Sequence, residues 1–170
     1  MTNLDGNYLG IDFSGNHLMW RPRVAHPNVW VAKVSTDGER RTLQSVFPVH
    51  ELDNGSATAL PFLLLASFLH AEKFKGAGID APFSVPFEFW PSDGHGTLWE
   101  SVATMSRPQG RQFPRAHDFA ETIRRGRSEP KKPLRATEEY WNRRKINVRS
   151  TLWSGPRGGA AMTAACLATP

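Results

Sequence analysis

Within the first eighty positions, three short runs of strand-forming residues are followed by one strongly apolar helical segment and then a fourth short run. That order limits the fold more than any other feature of the chain. Tyr8 to Phe13 (YLGIDF) reads as a buried strand ending in the polar loop Ser14-Gly15-Asn16. Turn formers follow through Pro22, Pro27 and Asn28, and Val29 to Ser35 (VWVAKVS) alternates as a second strand. Thr36-Asp37-Gly38 supplies hairpin chemistry, in a loop longer than the two-residue minimum, and Arg41 to Val46 reads as a third strand. These three make an antiparallel meander. Ser56 to Phe74 is the clearest helix, with Ser56 or Thr58 as cap and Pro61 in the first turn, where a missing N–H costs little. Leu60, Leu63, Leu64, Phe68 and Leu69 form a stripe that needs a sheet to pack on. Gly76 and Gly78 end the helix, and Ala77 to Asp80 is a short buried strand stopped by Pro82 and Pro86.

Beyond Pro82 the pattern is less regular. Thr97 to Met105, Ala116 to Arg125 and Thr137 to Lys145 read as helices. Ile146 to Leu152 reads as a further strand, and Gly158 to Ala168 as a small-residue helix. A meander, a helical crossover and parallel strands make an α/β fold with a mixed sheet and flanking helices. At 170 residues this is expected to be a single domain, with a helical insertion over about 82–134.

The composition excludes several classes. The single cysteine, Cys166, rules out an internal disulfide and a cysteine-rich zinc site. No run approaches the ~20 apolar residues of a membrane span, and the N-terminus lacks the basic-then-apolar order of a secretory signal. A cytoplasmic setting is the default expectation. No phosphate-binding Gly-x-x-x-x-Gly-Lys-Ser/Thr loop is present, and neither Ser14 nor Ser84 sits in a Gly-x-Ser-x-Gly context. The six histidines show no metal-ligand spacing.

Charge is distributed unevenly. Residues 107–149 hold thirteen Lys or Arg against five Asp or Glu, a net +8 inside a chain of net +5. Such a local excess attracts polyanions, nucleic acid first among them. The plainer account is a set of solvated helices with internal ion pairs, for which Arg135, Glu139 and Arg143 have the i, i+4, i+8 spacing. Six tryptophans offer either stacking surfaces for bases or core anchors. Trp20, Trp90, Trp99, Trp141 and Trp153 are the candidates, with core anchoring the commoner role.

Two acids stand where a buried strand ends: Asp12 in Gly10-Ile11-Asp12-Phe13-Ser14-Gly15, and Asp80 in Gly78-Ile79-Asp80-Ala81-Pro82-Phe83-Ser84. Either alone is an ordinary cap or turn residue. On neighbouring strands their Cα atoms would lie roughly 5 Å apart. Two carboxylates so close repel unless one is protonated or a cation sits between them. Hard divalent cations such as Mg²⁺ take such oxygen ligands, and paired ions assist phosphodiester displacement. Ser14 and His17, in the loop after Asp12, are candidate substrate contacts, His17 as a base or phosphate ligand. The plainer reading of His17 is an exposed loop histidine.

This pattern resembles the ribonuclease-H-like superfold. Within it, the chain is similar to the group called domain of unknown function 429, a set of predicted nucleases. Three segments carry the resemblance: Gly10-Ile11-Asp12, the stretch Gly78-Ile79-Asp80-Ala81-Pro82-Phe83-Ser84-Val85-Pro86, and Arg135-Ala136-Thr137-Glu138. The resemblance implies a ribonuclease-H-like mixed sheet and metal-dependent phosphodiester hydrolysis with Mg²⁺ or Mn²⁺. Asp12 and Asp80 would be the metal carboxylates. Glu138 would be a catalytic acid, as a third ligand or an acid behind the ligands, and Arg135 would grip a phosphate of a DNA or RNA strand. For Arg135 and Glu138 the plainer alternative is a helix start, where an early acid suits the dipole. The chain departs from the pattern at its end. Ribonuclease-H-like enzymes usually place another acid on a helix after the fifth strand, and Gly158 to Ala168 has none. The group's proteins also usually continue beyond this point, so the chain is either a short form or a fragment, or Glu138, Glu100 or Asp118 completes the set. Two other functions compete: a nucleic-acid-binding protein that kept the fold and lost the chemistry, and a phosphotransferase of the actin-like or sugar-kinase kind. The latter needs two copies of such a core, and the chain has length for one.

Overall fold

The computed structural model describes residues 5–52, 59–128, 130–155 and 158–168. It is an α/β arrangement with four strands and five α-helices among those residues. Two compact units emerge. The first comprises residues 1–14 and 18–80; the second comprises residues 15–17 and 81–170. The expected insertion over about 82–134 falls in the second unit.

The first unit is built on a sheet of strands β1 (Gly6–Asp12), β2 (Trp30–Asp37), β3 (Arg40–Pro48) and β4 (Gly76–Ile79). Their order is β3-β2-β1-β4. β2 is antiparallel to both β1 and β3, and β4 runs parallel to β1. The hairpin turn is tighter than the sequence suggests. Asp37 pairs with Arg40, which leaves Gly38 and Glu39 as a two-residue connection. Gly38 takes a left-handed φ of 56°, and its N–H donates to the Asp5 carboxylate at 2.7 Å.

Helix α1 (Pro61–Ala71) starts with Pro61 at its first position, as expected. The proposed caps Ser56 and Thr58 lie outside the described residues. Its end comes earlier than the glycines predict. Glu72 turns extended after donating its N–H to Phe68 at 2.9 Å, and Lys75 already pairs with Asn7 at 2.8 Å as the chain enters β4. The buried face also differs. Pro61, Phe62 and Leu65 are buried, whereas Leu60 and Leu63, assigned to the packing stripe, are exposed. This helix is apolar nearly all round, so its sequence does not fix which side faces the sheet. Phe13, Trp20 and Phe62 form the nucleus of the core, with ring centroids 4.9 Å, 5.1 Å and 6.5 Å apart. Leu9, Ile11, Val29, Val31 and Val49 complete it.

The second unit carries α2 (His95–Thr104), α3 (Ala116–Arg124), α4 (Ala136–Arg143) and α5 (Ala160–Leu167). Leu98, Val102, Phe113, Phe119 and the small residues of α5 make its core. Close approach by small residues is literal at Gly15, where an added Cβ would fall 2.5 Å from the amide nitrogen of Met162. Burial pushes the Cys166 thiol up to about 12.

The strand expected over Ile146 to Leu152 does not form. Its backbone groups are spent on a tight loop instead. Trp153 and Gly159 both donate to the Ser150 carbonyl, at 3.3 and 2.9 Å, and Ala160 donates to Trp153 at 3.3 Å. The Ser150 hydroxyl donates to the Pro133 carbonyl at 2.5 Å. Local closure has taken the groups that a sheet ladder would have used.

Candidate functional site

Tyr8, Leu9, Gly10 and Ile11 of β1 stand in parallel register with Gly76, Ala77, Gly78 and Ile79 of β4. The ladder runs one step further, because the Asp80 N–H donates to the Ile11 carbonyl at 2.9 Å. Asp12 and Asp80 therefore follow the same paired position, at the carboxyl ends of adjacent parallel strands. Neighbouring strands lie ~4.8 Å apart, so the two residues share one short stretch of sheet edge. Carboxyl strand ends are the customary ligand side of open α/β sheets. Gly10 and Gly78 precede the acids with no side chains to crowd that edge.

Both acids are exposed. Neither carboxylate enters an ion pair or hydrogen bond with a described residue. Among the described residues neither carboxylate caps a helix or ties a turn, the plainer reading of either alone. Their backbone is firmly held. Phe13 and Trp20 pack beside the end of β1, and the fully buried Trp20 donates Nε1–H to the Ser14 carbonyl at 2.7 Å. Ser14 itself is buried. His17 is half-buried and belongs to the second unit.

Arg135 and Glu138 meet within the second unit. The Arg135 guanidinium donates to the Glu138 carboxylate through Nε at 2.9 Å and Nη2 at 2.7 Å, and through Nη1 to the Ser84 hydroxyl at 3.1 Å. Glu138 also accepts the Arg135 backbone N–H at 2.9 Å. This is the carboxylate half of a capping box at the start of α4, since a guanidinium cannot accept the reciprocal bond. Glu138 is buried with its oxygens engaged, and the Arg135 fork faces it. The geometry is that of the helix-start alternative for this pair, with Ser84 of the fourth-strand motif tied into it.

Glu100 and Asp118 are exposed residues of α2 and α3. Among the described residues, no three His, Cys, Asp or Glu side chains gather as a metal cluster. Two carboxylates still fit the needs of Mg²⁺ or Mn²⁺, since such ions are commonly held by one or two carboxylates plus water and substrate phosphate.

The tryptophans differ in burial. Trp20 is a core anchor; Trp99 and Trp141 are exposed. Trp141 and Tyr140 meet edge-on at 5.0 Å on α4, with the Arg144 guanidinium 3.5 Å above the Tyr140 ring. Arg143 pairs with Glu139 as its spacing suggests, while Arg135 pairs with Glu138 instead. No helix among the described residues is long and apolar enough to cross a membrane.

No family model, curated protein or solved structure matches the chain.

Proposed function

We propose that the chain is a metal-dependent nuclease with a ribonuclease-H-like sheet, akin to the domain of unknown function 429 group. Asp12 and Asp80 are its metal carboxylates, and Mg²⁺ or Mn²⁺ its cofactor. One observation carries this reading: two exposed acids, with no carboxylate partner among the described residues, stand in register at the carboxyl ends of adjacent parallel strands. The order of elements supports it too, as an antiparallel meander followed by a helix and a parallel strand.

In this reading the two acids concentrate negative charge that a divalent cation relieves. A bound cation supplies the charge stabilisation that a phosphodiester displacement needs. The Phe13–Trp20–Phe62 cluster keeps the end of β1 rigid, so Asp12 holds its place without reorganisation. The basic residues of 107–149 hold a nucleic-acid strand, and α4 offers Tyr140 and Trp141 beside Arg143, Arg144 and Lys145 as a surface suited to bases and phosphates.

A second reading keeps the nucleic acid and drops the chemistry. The engagement of Glu138 by Arg135 favours it, because that acid is then not free to complete a metal set. Cleavage of labelled single- and double-stranded DNA and RNA with Mg²⁺ or Mn²⁺ separates the two. The nuclease reading expects cleavage that Asp12→Asn and Asp80→Asn each abolish. Salt-sensitive binding with no cleavage, or cleavage unchanged in both variants, overturns it.

A further inference from the structure

One basic stretch of the chain, residues 124–132, holds five Lys or Arg against Glu129 alone. Part of it closes round a cleft of about 430 Å³ in the second unit. Arg124, Arg127, Lys131, Leu152 and Trp153 are among its walls, and Glu121 is the acid there.

Arg124 gives this cleft its shape. Its side chain is buried, at 7% exposure. Nη1 donates to the carbonyls of Ser128 at 3.4 Å and Pro130 at 3.0 Å, and Nη2 to those of Lys131 at 2.5 Å and Leu152 at 3.3 Å. The guanidinium lies 5.8 Å from the centre of the Phe89 ring. Arg125 and Gly126, with left-handed φ of 51° and 78°, turn the chain off α3 so that the loop can return over this group.

All four partners of Arg124 are carbonyl dipoles. No carboxylate pairs with it among the described residues. Among the described residues this buried cation is hydrogen-bonded but not ion-paired, and such a group keeps a field that an anion would relieve. Two exposed cations extend that field. Arg127 is held by a bond from Nη1 to the Glu88 carbonyl at 2.7 Å, and Lys131 makes no ion pair with a described residue. Lys132, the next residue, sets its ammonium 4.9 Å from the centre of the Trp153 ring.

We propose that this cleft binds a phosphate ester, with the phosphate against Lys131 and Arg127 and the organic part against Trp153. Phosphate suits several separate cationic donors, each giving a charge-assisted hydrogen bond. The volume is within the ~300–1,000 Å³ range of small-ligand sites. A free nucleoside monophosphate and a phosphodiester unit of a nucleic-acid strand share this chemistry. The proposal does not rest on Asp12 and Asp80.

Calorimetric titration of the full chain at low salt tests it, with AMP, a short oligothymidylate and inorganic phosphate as probes. Lys131→Gln and Lys131→Arg are compared with wild type, and melting curves confirm that each is folded. Saturable binding of AMP or the oligonucleotide is expected, weakened about tenfold or more in Lys131→Gln and largely restored in Lys131→Arg. Binding of AMP assigns the site to free nucleotides; binding of the oligonucleotide alone assigns it to a strand. Binding of neither, equal affinity for inorganic phosphate and AMP, or wild-type affinity in Lys131→Gln overturns the proposal.

Discussion

The amide of Asp80 donates to the carbonyl of Ile11 at 2.9 Å, which extends the β1–β4 ladder by one residue and sets Asp80 beside Asp12. The bond is between backbone groups, so it survives loss of either carboxylate. Placement and chemistry can therefore be separated by substitution.

Asp12→Asn and Asp80→Asn are expected to fold normally. Both side chains are exposed and hold no described partner, so each change should alter stability by no more than about 0.5 kcal/mol. Nuclease turnover should fall by orders of magnitude in both. Urea unfolding beside a cleavage assay checks the pair of outcomes.

Trp20→Ala should be among the most damaging substitutions in the first unit. It empties a fully buried indole site, breaks two ring contacts and leaves the Ser14 carbonyl without its donor. A cost of about 4 kcal/mol is expected, read from the unfolding midpoint in urea.

Gly15→Ala and Gly78→Ala should differ sharply. A Cβ at Gly15 would lie 2.5 Å from the Met162 amide nitrogen, a backbone atom that cannot step aside. A Cβ at Gly78 meets nothing within 4 Å. The first change should destabilise by about 1–3 kcal/mol and the second by much less, which paired melting curves would show.

Arg124→Ala removes one donor group from four carbonyls at once. Leaving the buried Leu152 carbonyl without its donor, and freeing three part-buried ones, should cost about 2 kcal/mol and loosen the loop after α3. Faster tryptic cleavage within residues 125–132, before global unfolding, is the expected sign.

Cys166 gives the stability a pH dependence at its alkaline end. Burial raises its thiol from 9.0 to about 12, so the folded chain keeps the proton after the unfolded chain has lost it. This contribution is complete below about pH 9 and fades between there and about pH 12. Urea unfolding at pH 8 and pH 10 should show a fall that Cys166→Ala reduces.

The meander and the parallel strand were legible because alternation and Gly or Pro punctuation are local signals. So was the adjacency of Asp12 and Asp80, through the echo of Gly-Ile-Asp at two strand ends. The phase of α1 was not legible, since Leu60 and Leu63 are as apolar as Leu65 and only the sheet selects among them. Ile146 to Leu152 read as a strand because its residues suit one, but Ser150 and Trp153 have their groups claimed by Pro133, Gly159 and Ala160. The spacing of Arg135 and Glu138 was visible. Their closure on each other is a tertiary outcome in which Ser84, distant in sequence, takes part. Nothing in the sequence sets Arg124 apart from the neighbouring arginines, and only the returning loop buries it.

Calorimetric titration with Mn²⁺ of wild type, Asp12→Asn and Asp80→Asn tests the central claim most directly. Saturable binding in wild type that either substitution removes is the predicted result, the outcome that the proposed two-carboxylate site requires. No binding by folded wild type, or wild-type affinity in either variant, would contradict it.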